Sequence, residues 1–199
     1  MSVVVAIKKE NKVYMGADSQ VSKGGTRLSL SNPNNYKVWK VKGVENCLMG
    51  SVGNLRDACV IRIMHGLVRE IDAIKGDIDF EYVVGRIVPL IKEELTDYGY
   101  LKKDGLFDGF DSSFLFAYED KLFYINSDAS VIEIDDCIAI GSGSNEAIGS
   151  LITSSSEEDC EQRIVKAIKS SAAHDIYVDY PIVLVDTEST EFKVLTEEK

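Results

Sequence analysis

The chain has 199 residues, and its 22 Lys and Arg against 33 Asp and Glu leave a net charge of −11. That balance repels a phosphate backbone and argues against a nucleic-acid partner. With 45% hydrophobic and 28% charged residues, the chain is neither disordered nor fibrous. No apolar run exceeds five residues (Val3 to Ile7, Phe114 to Tyr118), which excludes a membrane-spanning helix or a signal-peptide core.

The length fits one domain over residues 1–199, with chain enough for a sizeable core. Cys47, Cys59, Cys137 and Cys160 form no CxxC pair and sit in apolar segments. They are expected to be reduced, buried thiols of a cytoplasmic protein, with no structural zinc.

Ser2-Val3-Val4-Val5-Ala6-Ile7 is rich in β-formers, Lys8 to Asn11 make a turn, and Lys12 to Asp18 return as a second strand. Ser19 to Tyr36, rich in Ser, Gly and Asn, reads as a loop. Lys37 to Val41 and Cys47 to Val52 read as two further strands. A first helix is predicted from Leu55 to Ile71 behind an Asn54 N-cap. A second is predicted from Phe80 to Tyr98, with Pro89 as a kink.

Tyr100 to Gly109 is a polar connection, followed by a hairpin of Ser112 to Tyr118 and Lys121 to Asn126. Short strands follow at Val131 to Ile134 and Cys137 to Ile140. Gly141-Ser142-Gly143-Ser144 opens a third helix. Ser156 with Asp159 reads as a capping box for a fourth, to Ala173. Pro181 to Asp186 and Glu191 to Leu195 close the chain as strands. Two antiparallel sheets, each covered by a helix pair, bury both faces of every central strand, which predicts an α+β, four-layer αββα sandwich.

Familiar nucleophile arrangements are poorly represented. His65 and His174 both fall in predicted helices, no GxSxG elbow exists, and neither a dinucleotide fingerprint nor a GxxxxGK[ST] loop is present. The first strand offers another chemistry. Met1 precedes a small residue, so its removal leaves Ser2 with a free α-amine beside its own hydroxyl. An α-amine has an unperturbed pKa of about 7.7–8.0, so one residue supplies nucleophile and base near neutrality.

Ser2 to Ile7, followed by Val13-Tyr14-Met15-Gly16-Ala17-Asp18-Ser19-Gln20, resembles the opening of proteasome β-subunits and HslV-like peptidases, the N-terminal-nucleophile hydrolases. Asn35-Tyr36-Lys37-Val38 is similar to the family's lysine-bearing strand. Met49 to Ala58 is similar to its Gly-rich turn into the first helix, and Ile138-Ala139-Ile140-Gly141-Ser142-Gly143 to its junction with the third helix. The five pieces are in register along almost the whole chain.

The resemblance implies Ser2 as nucleophile, where the family usually has Thr. It implies Lys37 as an ammonium lowering the pKa of the Ser2 amine, Asp18 as the partner of Lys37, and the Gly53 N–H as oxyanion donor. Ser142 and Asp175 would be the hydroxyl and acid that contact the amine. No cofactor or metal is implied. The substrate would be a peptide or protein, the assembly a homo-oligomeric ring, and a ring ATPase unfoldase a possible partner. Ile61, Ile63 and Met64 are candidates for a contact between subunits. Each residue also has an ordinary reading: Asp18 as a turn residue, Lys37 as an edge-strand charge, Gly53 as a turn. An inactive proteasome-like subunit serving assembly or scaffolding is the competing function.

Overall fold

The computed structural model describes residues 2–29, 31–67, 71, 78–98, 102–104, 107–156 and 159–196. Ten strands form two five-stranded antiparallel sheets. The first has the order β12-β1-β2-β13-β14, from β1 (Val3–Lys9), β2 (Lys12–Ala17), β12 (Cys137–Gly141), β13 (Ile182–Asp186) and β14 (Lys193–Leu195). The second has the order β11-β10-β9-β6-β5, from β5 (Val38–Lys40), β6 (Cys47–Gly53), β9 (Ser112–Tyr118), β10 (Lys121–Ile125) and β11 (Val131–Glu133).

The unbroken apolar run of β1 follows from its place between layers, because successive side chains of a strand point to opposite faces. Val4 and Ala6 join Met15, Leu48, Leu115 and Val183 in the core between the sheets. Val3, Val5 and Ile7 face the other way, onto Ala147 and Leu151 of α3 (Ser144–Thr153) and Ile164 and Ile168 of α4 (Cys160–Ala172). β9 divides in the same manner. Leu115 and Ala117 enter the core between the sheets, while Phe114 and Phe116 pack under α1 (Leu55–Arg62) and the long helix α2 (residues 80–97). Each fully buried Val, Leu, Ile or Phe contributes about 1.5–3 kcal/mol, so three apolar interfaces hold four layers. The α+β, αββα sandwich is therefore present.

Several local expectations are corrected. The segment 19–36 carries a hairpin, β3 (Gln20–Lys23) and β4 (Thr26–Ser29), turning on Gly24 and Gly25 at φ 56 and 80, and then a short 3₁₀ turn Pro33–Asn35. The connection before Phe110 likewise contains β7 (Lys102–Asp104) paired with β8 (Phe107–Gly109). α1 stops at Arg62: the Ile63 N–H bonds to Val60 O, which tightens the last turn. The apolar stripe continues across this break because Met64, Leu67 and Ile71 still reach the same core. Periodicity reports the buried face, not the continuity of the helix. Residues 68–70 of that predicted helix lie outside the described residues.

The second helix, α2, runs as α-helix at Phe80–Tyr82, a π-helical turn at Val83–Ile87, and α-helix again at Val88–Asp97. Pro89 has no N–H to return to the preceding turn, and the wider π turn sits where that donor is missing. At α4 the cap is Asp159, which accepts from Gln162 N–H at 3.0 Å; Ser156 lies in the turn before it. Asn54 caps α1 as expected. Cys47 and Cys160 are buried, but Cys59 is exposed and Cys137 half-buried, because strand and helix faces alternate within one apolar segment. His65 and His174 are exposed and lie just outside helices. Of the three candidate contact residues, Ile61 and Met64 are taken up by the core, and Ile63 stays 56% exposed.

Candidate active site

The N-terminal end of β1 is fixed by its two neighbours. β2 delivers Asp18 immediately after Ala17, which pairs with Val4, and β12 delivers Gly141 opposite Val3. Gly141 has φ +105, and a Cβ there would meet Ser2 O at 2.1 Å, so this close approach of two backbones requires glycine. Ser142 follows directly. Its Oγ accepts from Ser2 N–H at 3.1 Å and approaches Ser2 O at 3.4 Å. Ser2 itself is 6% exposed.

Asp18 is fully buried and saturated with donors. Oδ1 accepts from Val3 N–H at 2.9 Å and Oδ2 from Gln20 N–H at 3.0 Å, and Lys37 Nζ reaches both oxygens at 2.8 Å. The third Lys37 proton goes to Gln20 O at 2.6 Å. Burial pushes the Asp18 carboxyl above its ordinary value and the Lys37 ammonium below its own; their mutual attraction opposes both shifts.

Gly53 ends β6 at φ +114, where a Cβ would lie 2.4 Å from Asp111 O and 2.7 Å from Ser112 Cα. Backbone on that side leaves room for hydrogen alone. Ser2, Lys37 and Gly53 line one cavity of about 420 Å³, walled also by Val21, Val52 and Leu55. Lys37 is the one charged side chain in the lining among the described residues, and its charge is taken up by Asp18.

Five of the six sequence-selected residues thus meet at this end of the sandwich. Asp175 lies just past α4; its Oδ1 accepts from Tyr177 N–H at 2.9 Å, and its charge raises the Lys37 pKa against the effect of burial. Its Oδ2 is buried and meets no hydrogen-bond donor among the described residues. Two contributors escaped sequence reading. Gln20 serves through its backbone, and its side chain bonds Ile176 O at 2.9 Å; Asp179 N–H adds a contact to Asp18 Oδ2 at 3.5 Å. Backbone donors and acceptors leave no residue-type signal. Among the described residues no group of three or more His, Cys, Asp and Glu is placed to hold a metal ion.

Comparison with known proteins agrees with this architecture. Residues 104–185 match the family model described as proteasome subunit. The chain is 26% identical over 182 residues to the ATP-dependent protease subunit HslV of Campylobacter concisus, covering 89% of this chain and 93% of that protein. Among solved structures, Thiobacillus denitrificans BPH in complex with epoxomicin superposes with a TM-score of 0.70 at 17% identity, over 98% of this chain and all of that one. Eukaryotic HslV from Trypanosoma brucei gives 0.67 at 19% identity, over 92% of this chain and 98% of that one. The resemblance to proteasome and HslV-like proteins holds, and their fold is this fold.

Proposed function

We propose that this proteasome- and HslV-like chain is an N-terminal-nucleophile amide hydrolase, a peptidase in which Ser2 becomes nucleophile and N-terminal residue once Met1 is removed. The observation that carries the reading is the placement of Ser2 N against Ser142 Oγ, one residue from the N–H held by Asp18, with Ser2, Lys37 and Gly53 lining one cavity.

In this mechanism Ser2 Oγ attacks the carbonyl carbon of the scissile amide, and its proton passes to the Ser2 amine. Lys37 keeps that amine in its neutral form, and Asp18 keeps Lys37 in place. The new C–O bond turns the carbonyl oxygen into an oxyanion facing the Gly53 N–H. Collapse breaks the C–N bond. The leaving amine takes the proton, and the acyl group stays on Ser2 as an ester. Water, deprotonated by the same amine, then attacks the ester, and the acid leaves as Ser2 Oγ recovers its proton. Ser142 and Asp175 orient the amine. The neutral cavity walls favour an uncharged substrate side chain, because an ion moved there loses solvation without gaining a partner.

The whole chain, residues 1–199, acts as one domain, and its subunits form a homo-oligomeric ring in the cytoplasm. The similarity to an ATP-dependent protease subunit supports an ATPase as partner. No described helix is long and apolar enough to cross a membrane. Intact-mass analysis of protein from its native host, before and after incubation with a peptide electrophile, tests the reading. The expected result is a chain beginning at Ser2 that gains one adduct, with none on Ser2→Ala. A chain that retains Met1 and takes no adduct would favour the non-catalytic, scaffolding subunit.

A further inference from the structure

Ser142 stands between two glycines, so its place beside the Ser2 N–H is set by what holds Gly141 and Gly143 on either side of it. Gly141 is held by the ladder, opposite Val3. Gly143 has left the ladder, and its N–H makes only a long contact to Ser2 O at 3.4 Å. The short bond at this residue comes from α4. Ser171, fully buried in the last turn of that helix, donates its hydroxyl proton to Gly143 C=O at 2.6 Å. A helical serine ordinarily bonds back to the carbonyl four residues earlier; here Ala167 C=O lies at 3.2 Å, the longer of the two contacts. Packing has the same focus, because a Cβ on Gly143 would meet Ser171 Cβ at 2.7 Å and Val178 Cγ2 at 3.2 Å.

The backbone of Ser171 holds the second group that orients the amine. Its C=O accepts from Asp175 N–H at 2.8 Å and from His174 N–H at 3.1 Å. Val178 N–H returns to Asp175 C=O at 3.0 Å, and Asp175 Oδ1 takes the Tyr177 N–H at 2.9 Å. Asp175 therefore hangs from the carbonyl of Ser171, while the turn that carries Ser142 is pinned to its hydroxyl. One buried serine joins two segments that are distant in sequence.

We propose that Ser171 is a positioning residue for the reaction, its hydroxyl fixing the Gly143 turn against the end of α4 so that Ser142 and Asp175 keep one spacing around the Ser2 amine. The inference rests on the hydrolase reading above. A base held off its geometry raises the barrier without loosening the substrate, so kcat falls and KM does not. Ser142 Oγ and the Asp175 carboxylate both accept protons, and their retreat from the amine disfavours its charged form.

The test is Ser171→Ala and Ser171→Cys beside Ile164→Val, a substitution in the buried face of the same helix about two turns away, with peptide hydrolysis followed across pH on each folded protein. Ser171→Ala is expected to lose about tenfold in kcat with KM within about twofold. Its acid limb of kcat/KM is expected to move to lower pH by about half a unit. The substitution changes no charge: Asp18, Lys37 and Asp175 keep theirs, so a moved limb reports their distance from the amine. Cysteine keeps the volume with a weaker donor and is expected to lose less than alanine. Ile164→Val is expected to match the wild type in kcat, KM and pH limb. A wild-type kcat and limb in Ser171→Ala would overturn the proposal, as would equal losses in Ile164→Val. Should the alanine protein not fold, the same wild-type values in Ser171→Cys overturn it. A wild type that neither hydrolyses peptides nor takes an adduct from a peptide electrophile sinks the hydrolase reading and this role with it. An active wild type beside an unaffected Ser171→Ala sinks the role of Ser171 alone.

Discussion

Asp18 Oδ1 accepts from Val3 N–H at 2.9 Å and from Lys37 Nζ at 2.8 Å, so the backbone beside Ser2 and a buried cation share one oxygen. The ion pair thus both sets the charge near Ser2 and fixes where β1 begins. Removing either partner strands the other in a medium that tolerates it poorly.

Lys37→Met leaves the Asp18 carboxylate buried with backbone donors only. The expected cost is about 3–5 kcal/mol in urea unfolding, the usual range for breaking a buried pair. Asp18→Asn combined with Lys37→Met removes both charges and is expected to recover most of that loss while hydrolysis stays absent. A double variant as unstable as Lys37→Met would show that the pair is not what the fold depends on. Restored hydrolysis would remove Lys37 from the mechanism.

The pH dependence of stability has a second buried carboxyl as its probe. Asp57, in the first turn of α1 and 1% exposed, is pushed above its ordinary value by burial, with the nearby Ser112 hydroxyl and Asp111 N–H opposing. A carboxyl raised on folding supports the native state fully below its unfolded pKa, and that support is lost as pH rises through the folded pKa. The stability of Asp57→Asn relative to the wild type is therefore expected to improve from about pH 4 to pH 8. Urea midpoints measured across that range check it, and a gap that is flat or widens in the opposite direction contradicts it.

The legibility of this architecture in the sequence follows physical rules. β1 is readable because its side chains from Val3 to Ile7 are all buried, which turns a two-faced strand into a continuous apolar run. β4 was not, since all four of its residues are exposed and only the Gly24–Gly25 pair marked its turn. Ser2, Asp18, Lys37, Gly53 and Ser142 are proposed from register with a known pattern; their side chains or obligatory glycine conformation carry that signal. Gln20 and Asp179 act through their own backbone groups, on Lys37 and on Asp18, and only the fold that brings these segments together reveals them.

Gly53→Ala meets backbone, not a side chain that could rotate away: Asp111 O at 2.4 Å and Ser112 Cα at 2.7 Å. At φ +114 the residue also costs of order 1–3 kcal/mol in strain. Relief requires the turn to move, and the N–H moves with it. The expected result is a loss of ~10²–10³ in kcat, the scale of removing one oxyanion donor, with a smaller change in KM. Steady-state kinetics on a peptide amide measures this, and retention of more than half of the wild-type kcat would exclude Gly53 as donor.

Arg62 controls the opposite wall of the cavity. Its guanidinium stacks 4.6 Å from the Trp39 ring centroid and donates to Pro33 O at 3.3 Å and to Tyr36 O. It thereby ties the end of α1 to the turn that carries Asn35 and Tyr36, both lining the cavity. The planar fork that reaches two carbonyls while lying on an indole has no lysine equivalent. Arg62→Lys and Arg62→Met are therefore both expected to raise KM for peptide substrates about fivefold with kcat within twofold, since they loosen ground-state and transition-state binding alike. A fall in kcat at constant KM would place Arg62 with the reacting atoms instead of the wall, and full function in the lysine variant would mean that charge alone suffices.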